Sequence, residues 1–239
     1  MIPKIIHYCW FGHKELPPLA KNCIASWRKF LPDYEIREWN EDNFDVNSIP
    51  YTAQAYRHKK YAFVSDYARF KILYEYGGIY FDTDVEIVKP IDDILEKGPY
   101  FGLEQDFKEG LACNPGLGFA CGPGLGLLRE MLKLYKSLDF EQSDGSLNKK
   151  TIVEHFSEML LARGLQPISG IMEFEGAYIY PPNFFCPKPS EFGKIQITKN
   201  TCTIHHYAAS WIEPKQRCAN LLIRIFGKKT IMKLWNLVK

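Results

Sequence analysis

Three carboxylates follow two glycines in GGIYFDTDVE, residues 77–86. The alternation of apolar and polar residues predicts one continuous strand over residues 79–88, in which Asp82, Asp84 and Glu86 point to the same face, because side chains alternate along a strand. Asp82 and Asp84 would then stand roughly 7 Å apart, at ~3.4 Å rise per residue, and would repel each other. Carboxylates of this kind suit a hard divalent cation, so the spacing predicts a metal site. The alternative is the solvated face of an edge strand.

The residues before this stretch predict a helix over 59–76, which must present the next pair of charged side chains. Its apolar positions recur at helical spacing, and Gly77 fits the C-terminal stop. Asp66 and Arg69 are three residues apart and share a face. An arginine fork beside a cation can neutralise a diphosphate, so the pair indicates a site for a phosphorylated substrate. The alternative is an ordinary surface ion pair.

A third cluster, IHHYAASW, contains His205, His206 and Trp211 near the C-terminus. Imidazole suits Mn²⁺ better than Ca²⁺, so one of these histidines is a candidate metal ligand. Two ordinary polar side chains are the alternative.

Alternating helix and strand patterns are expected to position these clusters. Residues 5–11 predict a buried strand, residues 17–32 a helix and residues 34–40 a second strand. No GxGxxG follows the first strand, so the standard dinucleotide fingerprint is absent. Further helices are predicted over 91–98, 123–138 and 149–164, and strands over 99–105 and 117–122. These patterns predict one α/β domain with a single mixed central sheet flanked by helices.

Composition and charge favour one domain with a distinct tail. The 239 residues are 46% hydrophobic, and the seven cysteines contain no CxxC pair, which suits a reducing cytoplasm. We expect neither a secretory leader nor a membrane span. Residues 213–239 hold seven basic residues and one acid, although the whole chain carries only +2. We therefore predict a catalytic domain over 1–212 and a basic amphipathic helix over 213–239, either on a membrane surface or docked on its own domain. Because the rest of the chain is net acidic, nucleic acid is not an expected partner.

The motifs IPKIIHYCWFG, SDYARFKILYEYGGIYFDTDVE and IHHYAASW, in this order, resemble those of glycosyltransferase family 32. That family includes initiating α-1,6-mannosyltransferases and bacterial capsular polysaccharide and lipopolysaccharide enzymes. The resemblance covers residues 1–90 well and 201–212 moderately. It implies a GT-A type fold, a nucleotide-diphosphate sugar donor, Mn²⁺ or Mg²⁺ as cofactor, and retention of the anomeric configuration.

The resemblance also implies roles for individual donor-binding residues. Trp10 matches the aromatic residue that stacks on the donor base, although a core tryptophan is the alternative. Asp66 and Arg69 match the pair that holds the sugar and diphosphate region. Asn114 in CNPGLGFA is a candidate beside the donor sugar, or simply part of an Asn-Pro turn.

The metal-binding and catalytic residues follow from the same resemblance. Tyr80, Asp82 and Asp84 match the YxDxD signature, with Asp84 as the direct metal ligand and Asp82 in contact with ribose or the transferred sugar. In IHHYAASW the family has one metal-binding residue and a tryptophan near the diphosphate. These correspond to either His205 or His206 and to Trp211, and both histidines stay candidates. Asp82, Asp84 and Arg69 are the expected catalytic residues.

The expected reaction is retaining transfer of a hexose to a glycan or lipid-linked acceptor in surface polysaccharide synthesis. A UDP-sugar is favoured over GDP-mannose, and a cytoplasmic location, peripheral on the inner face of the plasma membrane, would suit the basic tail. A covalent mechanism needs a carboxylate beneath the sugar. Glu104, Asp106 and Glu109 are unranked candidates, and front-face attack is equally possible. The alternatives are a phosphatase of the haloacid dehalogenase type and a non-catalytic sugar-nucleotide-binding module.

Overall fold

The computed structural model describes residues 1–105, 110–188 and 194–208. Contacts along the chain separate two units, Met1–His206 and Tyr207–Lys239. The predicted domain boundary after residue 212 and the predicted helix over 213–239 lie outside the described residues. Within the described part, no helix has the length and apolar character needed to cross a membrane.

Helices and strands alternate through most of the first unit. The helices are α1 (Pro18–Phe30), α2 (Pro50–Arg57), α3 (Tyr61–Tyr76), α4 (Asp92–Lys97), α5 (Gly126–Lys136), α6 (Ile152–Ala162) and α7 (Pro182–Phe185). The strands are β1 (Ile5–Cys9), β2 (Glu35–Trp39), β3 (Gly78–Tyr80), β4 (Val85–Ile87), β5 (Tyr100–Gly102), β6 (Phe119–Cys121), β7 (Met172–Phe174), β8 (Ala177–Tyr180) and β9 (Thr203–His205). Within the described residues, the helices and strands predicted from the sequence are confirmed, apart from one strand discussed below.

Seven of these strands form a central sheet in the order β2-β1-β3-β6-β5-β8-β7. Strands β1, β2 and β3 pair in parallel, as do β5 and β8, whereas β6 runs antiparallel to both of its neighbours. The predicted α/β class with a single mixed central sheet is therefore confirmed. The shorter strands β4 and β9 pair with each other outside this sheet.

Helices cover both faces of the sheet. Along β1, Tyr8 contacts Trp27 of α1, whereas its neighbour Cys9 belongs to the core cluster that contains α3. Since successive side chains of a strand point to opposite faces, α1 and α3 must lie on opposite sides. On the α3 side, Phe70 packs on Phe119 of β6, 5.8 Å between ring centroids.

The prediction of one continuous strand through residues 79–88 is wrong. The chain leaves the central sheet after β3 and turns, with the amide of Val85 donating to the carbonyl oxygen of Asp82 at 3.0 Å. It then forms β4, which pairs with β9. Helix α1 holds β4 in place, because the indole of Trp27 donates to the carbonyl of Val85 at 2.7 Å and Ser26 Oγ accepts from the amide of Ile87 at 2.9 Å. Asp82 and Asp84 thus lie in a turn between two sheets.

The junction between α3 and β3 depends on two glycines and a buried histidine. Gly77 ends α3 with φ of 65°, as predicted, and Gly78 follows with φ of 102°. A side chain on Gly78 would place its Cβ 2.5 Å from the carbonyl oxygen of Ile5. His7 Nε2 bonds to the carbonyl oxygen of Gly77 at 3.0 Å, while Nδ1 accepts from the Trp39 indole at 3.0 Å. Because an indole N–H can only donate, the His7 proton must be on Nε2 and the ring neutral.

This arrangement makes folding stability depend on the protonation of His7. Burial lowers the pKa of His7 from 6.5 to about 4. Below pH 6.5 the unfolded chain therefore binds a proton that the folded chain excludes, and stability falls as the pH decreases towards 4. Each pKa unit corresponds to about 1.4 kcal/mol, so the loss from this residue amounts to roughly 3 kcal/mol.

We expect a His7→Gln variant to be less stable at pH 7.5 but to lose less stability than the wild type between pH 6.5 and 4. Urea unfolding at several pH values measures this difference. His13→Gln is the matched control, because the His13 side chain is 68% exposed. Identical pH slopes for wild type and His7→Gln would contradict the assignment.

Candidate active site

Three loops meet at the edge of the sheet where β3 ends. They are the turn between β3 and β4, the segment Asn114–Gly116 before β6, and the end of β9. The amide of Asp82 donates to the carbonyl of Gly116 at 3.3 Å, and the amide of His206 donates to the carbonyl of Asp84 at 3.0 Å. Backbone bonds thus hold these loops together.

Asp82, Asp84 and His205 form a cluster that could hold a metal ion. Their ligand atoms all lie within 4.8 Å of one another, and His205 Nε2 is 3.2 Å from Asp84 Oδ1. Burial by itself lowers the pKa of His205, but the carboxylates of Asp84, Asp82 and Glu104 outweigh it and raise that pKa above its ordinary value. The carboxylates thus favour the protonated imidazole, and a metal ion would have to compete with that proton.

The choice between the two histidines is decided by the pairing of β4 with β9. This register sets His205 opposite Val85, next to Asp84. His206 instead bonds to Glu86, with 2.9 Å between Nε2 and Oε2. Among the residues that the structure describes, His206 therefore does not join the metal cluster, and Glu86 pairs with a histidine while its side chain stays 41% exposed.

Arg69 lies behind the cluster, between two carboxylates. Its Nη2 is 3.0 Å from Asp66 Oδ1 and 3.3 Å from Asp82 Oδ1, and its side chain is only 5% exposed. The surface ion pair considered from the sequence is therefore wrong. Burial raises the pKa of Asp66 to about 7, with Arg69 opposing and Asp82 adding to that rise. The Arg69 pKa is raised further above its already high value, since neighbouring acids outweigh burial, so the guanidinium stays charged.

Tyr80 fixes the other side of the Asp82 carboxylate. Its hydroxyl donates to Asp82 Oδ1 at 3.0 Å, and its buried ring lies 4.9 Å from the Arg69 guanidinium carbon. Tyr80 thus orients both the first aspartate of the DTD motif and the arginine.

Asn114 and Glu104 extend the site away from the metal cluster. Asn114 is buried, its Oδ1 accepts from the amide of Gly116 at 2.7 Å, and its Nδ2 donates to Glu104 Oε2 at 2.7 Å. Gly116 lies close to Asp82 and Arg69, because a Cβ at this position would overlap Asp82 Oδ2 and lie 3.2 Å from Arg69 Nη1. Sequence reasoning missed Gly116, although its place two residues after Asn114, in an Asn-Pro-Gly turn, is a usable signal.

The remaining predicted site residues differ in what the structure says about them. Trp10 is partly exposed and its indole donates to the carbonyl of Lys14, so it is not a core residue, and its stacking role stays a prediction. Trp211, Asp106 and Glu109 lie outside the described residues.

Two carboxylates and an imidazole beside a buried guanidinium can together bind a divalent cation and a phosphorylated ligand. Comparisons with known proteins agree with this class of site. The family described as "Glycosyltransferase sugar-binding region containing DXD motif" matches residues 17–100, which include Asp66, Arg69, Asp82 and Asp84. Glu104, Asn114 and His205 lie beyond the matched segment.

Curated relatives match a similar share of the chain. Inositol phosphoceramide mannosyltransferase 1 of Schizosaccharomyces pombe is 30% identical over 115 residues, which cover 41% of this chain and 33% of that protein. An uncharacterized glycosyltransferase of Acanthamoeba polyphaga mimivirus is 34% identical over 107 residues, covering 42% of this chain and 43% of that protein. The chain spans less than half the length of these relatives. Among solved structures, the PaToxG glycosyltransferase is 21% identical with a TM-score of 0.49, covering 68% of this chain and 70% of that one.

Over residues 17–100 the chain is similar to the DXD-containing sugar-binding region of glycosyltransferases, and over a comparable length it is similar to an inositol phosphoceramide mannosyltransferase. The mixed, helix-flanked sheet agrees with the α/β class expected from the sequence, and the GT-A type stays a prediction.

The close approach of Gly116 to Asp82 allows the cluster to be tested without removing a charge. Gly116→Ala should push the Asp82 carboxylate out of position and weaken Mn²⁺ binding about tenfold to a hundredfold. Isothermal titration with Mn²⁺ measures the change. Gly126→Ala is the control, because no atom lies within 4 Å of a Cβ at that position. Unchanged Mn²⁺ affinity in a folded Gly116→Ala protein would show that Asp82 takes no part in the site.

Proposed function

We propose that the protein is a metal-dependent, retaining glycosyltransferase. It moves a hexose from a nucleotide-diphosphate sugar to a glycan or lipid-linked acceptor. The observation that carries this proposal is the convergence of Asp82, Asp84 and His205 within 4.8 Å, next to the buried Arg69.

The residues present fit a divalent cation. Carboxylate oxygens and a borderline imidazole are ligands that Mn²⁺ accepts, and Mg²⁺ is the alternative. Asp82, Asp84 and His205 would hold the ion, and an ion there would offset the negative charge that develops on a departing diphosphate. The carboxylates of Asp82 and Asp84, which face His205, would also attract a cation to this place.

Arg69 supplies a second, permanent positive charge. Its guanidinium is fixed by Asp66, by Asp82 and by a bond from Nε to the carbonyl of Ser65 at 3.1 Å. A charge that is already oriented needs no rearrangement when the leaving group forms, which is the basis of electrostatic catalysis. Arg69 therefore stabilises the diphosphate region of the donor.

Donor and acceptor are proposed from the comparisons and the sequence together. One matched relative is named as a mannosyltransferase acting on inositol phosphoceramide, which supports a hexose donor and a lipid-linked acceptor. The sequence favours UDP-sugars, so UDP- and GDP-hexoses both belong in a binding panel with and without Mn²⁺. A role in capsule or lipopolysaccharide synthesis, and contact of the basic segment 213–239 with the inner face of the plasma membrane, are further parts of the proposal.

The rival functions differ in how they use the DTD motif. A phosphatase of the haloacid dehalogenase type needs its first aspartate as a nucleophile, whereas Asp82 is bonded to both Arg69 and Tyr80. A non-catalytic binding module would bind nucleotide sugar without hydrolysing or transferring it, and its binding would survive chelation.

Asp84→Asn should abolish donor hydrolysis and transfer while the protein stays folded. We expect a decrease of about a hundredfold or more in kcat/KM, because the cation that stabilises the leaving group is lost. Release of nucleoside diphosphate measures the rate, and EDTA should have the same effect on the wild type. Glu86→Gln is the control, since Glu86 pairs with His206 outside the cluster. Full activity of Asp84→Asn, or of the wild type in EDTA, would refute the proposal.

The two histidines should respond differently to removal. His205→Ala is expected to weaken Mn²⁺ binding about tenfold or more, because one ligand of three is lost, whereas His206→Ala should change it less than about twofold. Titration calorimetry with Mn²⁺ distinguishes the variants, and a thermal melt shows whether each is folded. Stronger dependence on His206 than on His205 would contradict the assignment of His205 as a metal ligand.

A further inference from the structure

Glu104 follows strand β5 at the same edge of the sheet as the metal cluster. Its amide donates to the carbonyl of Ala112 at 2.8 Å, and Leu103 bridges to Cys113, so its backbone continues the sheet. The side chain is half-buried. Glu104 is therefore held in place by regular backbone pairing.

Asn114 fixes the position of the Glu104 carboxylate. The Asn114 amide can have only one orientation, because its Oδ1 accepts from the amide of Gly116 and its Nδ2 donates to Glu104 Oε2, each at 2.7 Å. Among the described residues, Asn114 is the one hydrogen-bond partner of the Glu104 side chain. The second oxygen, Oε1, keeps its capacity to accept hydrogen bonds from a ligand.

Glu104 lies next to the metal cluster without belonging to it. Asn114 bonds to both Glu104 and the amide of Gly116, whereas the group of converging ligands within the described residues consists of Asp82, Asp84 and His205. Gly116 lies between Asp82 and Asn114. A Cβ at this position would overlap Asp82 Oδ2 and lie 2.9 Å from Asn114 Oδ1. Asn114 and Gly116 thus connect the Glu104 carboxylate to the Asp82 side of the metal cluster.

We propose that Glu104 binds the transferred hexose, with Asn114 as its positioning residue; this inference rests on the proposed function. An ionised carboxylate is an acceptor for hydroxyl groups, and the hexose adds several hydroxyl groups to those of a nucleoside diphosphate. Its negative charge also favours the positive charge that develops on the sugar during transfer. This sugar-binding role for Glu104 needs no covalent intermediate.

The test compares ligands with and without the sugar. Glu104→Gln should lower the affinity for the nucleotide hexose that the wild type binds by roughly tenfold to a hundredfold, because a charged hydrogen bond is lost. Its affinities for Mn²⁺ alone, and for UDP or GDP with Mn²⁺, should change less than about twofold. Calorimetry measures all three. Glu96→Gln, at an exposed position on α4, is the matched control.

Other outcomes overturn the inference. Equal losses for the nucleotide hexose and the nucleoside diphosphate would place Glu104 at the diphosphate, and a loss of Mn²⁺ affinity would make it part of the metal site. Unchanged affinity for all ligands would remove it from the site. A wild-type protein that binds UDP or GDP but no nucleotide hexose would refute the proposed function itself. In that case Glu104→Gln would bind the same ligands as the wild type.

Discussion

The buried guanidinium of Arg69 is the interaction on which the rest of the site depends. It lies between Asp66 and Asp82 with a side chain only 5% exposed. Buried carboxylates without such a partner are costly, and a buried ion pair seldom adds net stability over apolar packing. We interpret the arrangement as one kept for chemistry, because it orients Asp82 and leaves a permanent positive charge beside a cluster of acids. Tyr80 contributes by contacting both groups.

The metal cluster also requires that the chain leaves the central sheet at the DTD motif. A continuous strand would set Asp82 and Asp84 roughly 7 Å apart on one face. The turn between β3 and β4 brings their ligand atoms within 4.8 Å of each other and of His205. Helix α1 makes this possible, because Trp27 and Ser26 satisfy the backbone of β4 after it has left the sheet. A helix that contributes no ligand thereby supports the geometry of the metal cluster.

Local patterns predicted much of the fold. The period of α3, its end at Gly77 and the pairing of Asp66 with Arg69 all follow from spacing within a few residues, where helix geometry leaves little choice. Helix α2 was not predicted. Its eight residues are too few to show a clear period, and it is stabilised by burial of Tyr51 and Ala55 against the core rather than by its own sequence.

The sequence by itself determined which residue types take part: the DTD carboxylates, the arginine one helix earlier, and a histidine from the C-terminal pair. Tertiary structure decided how they meet. The register of β4 against β9 selected His205 over His206, and the approach of Gly116 to Asp82 joined Asn114 and Glu104 to the site. These contacts link residues up to 120 positions apart. Local periodicity cannot predict contacts between residues so far apart in sequence, because the pairing of remote strands is fixed only when the whole core packs.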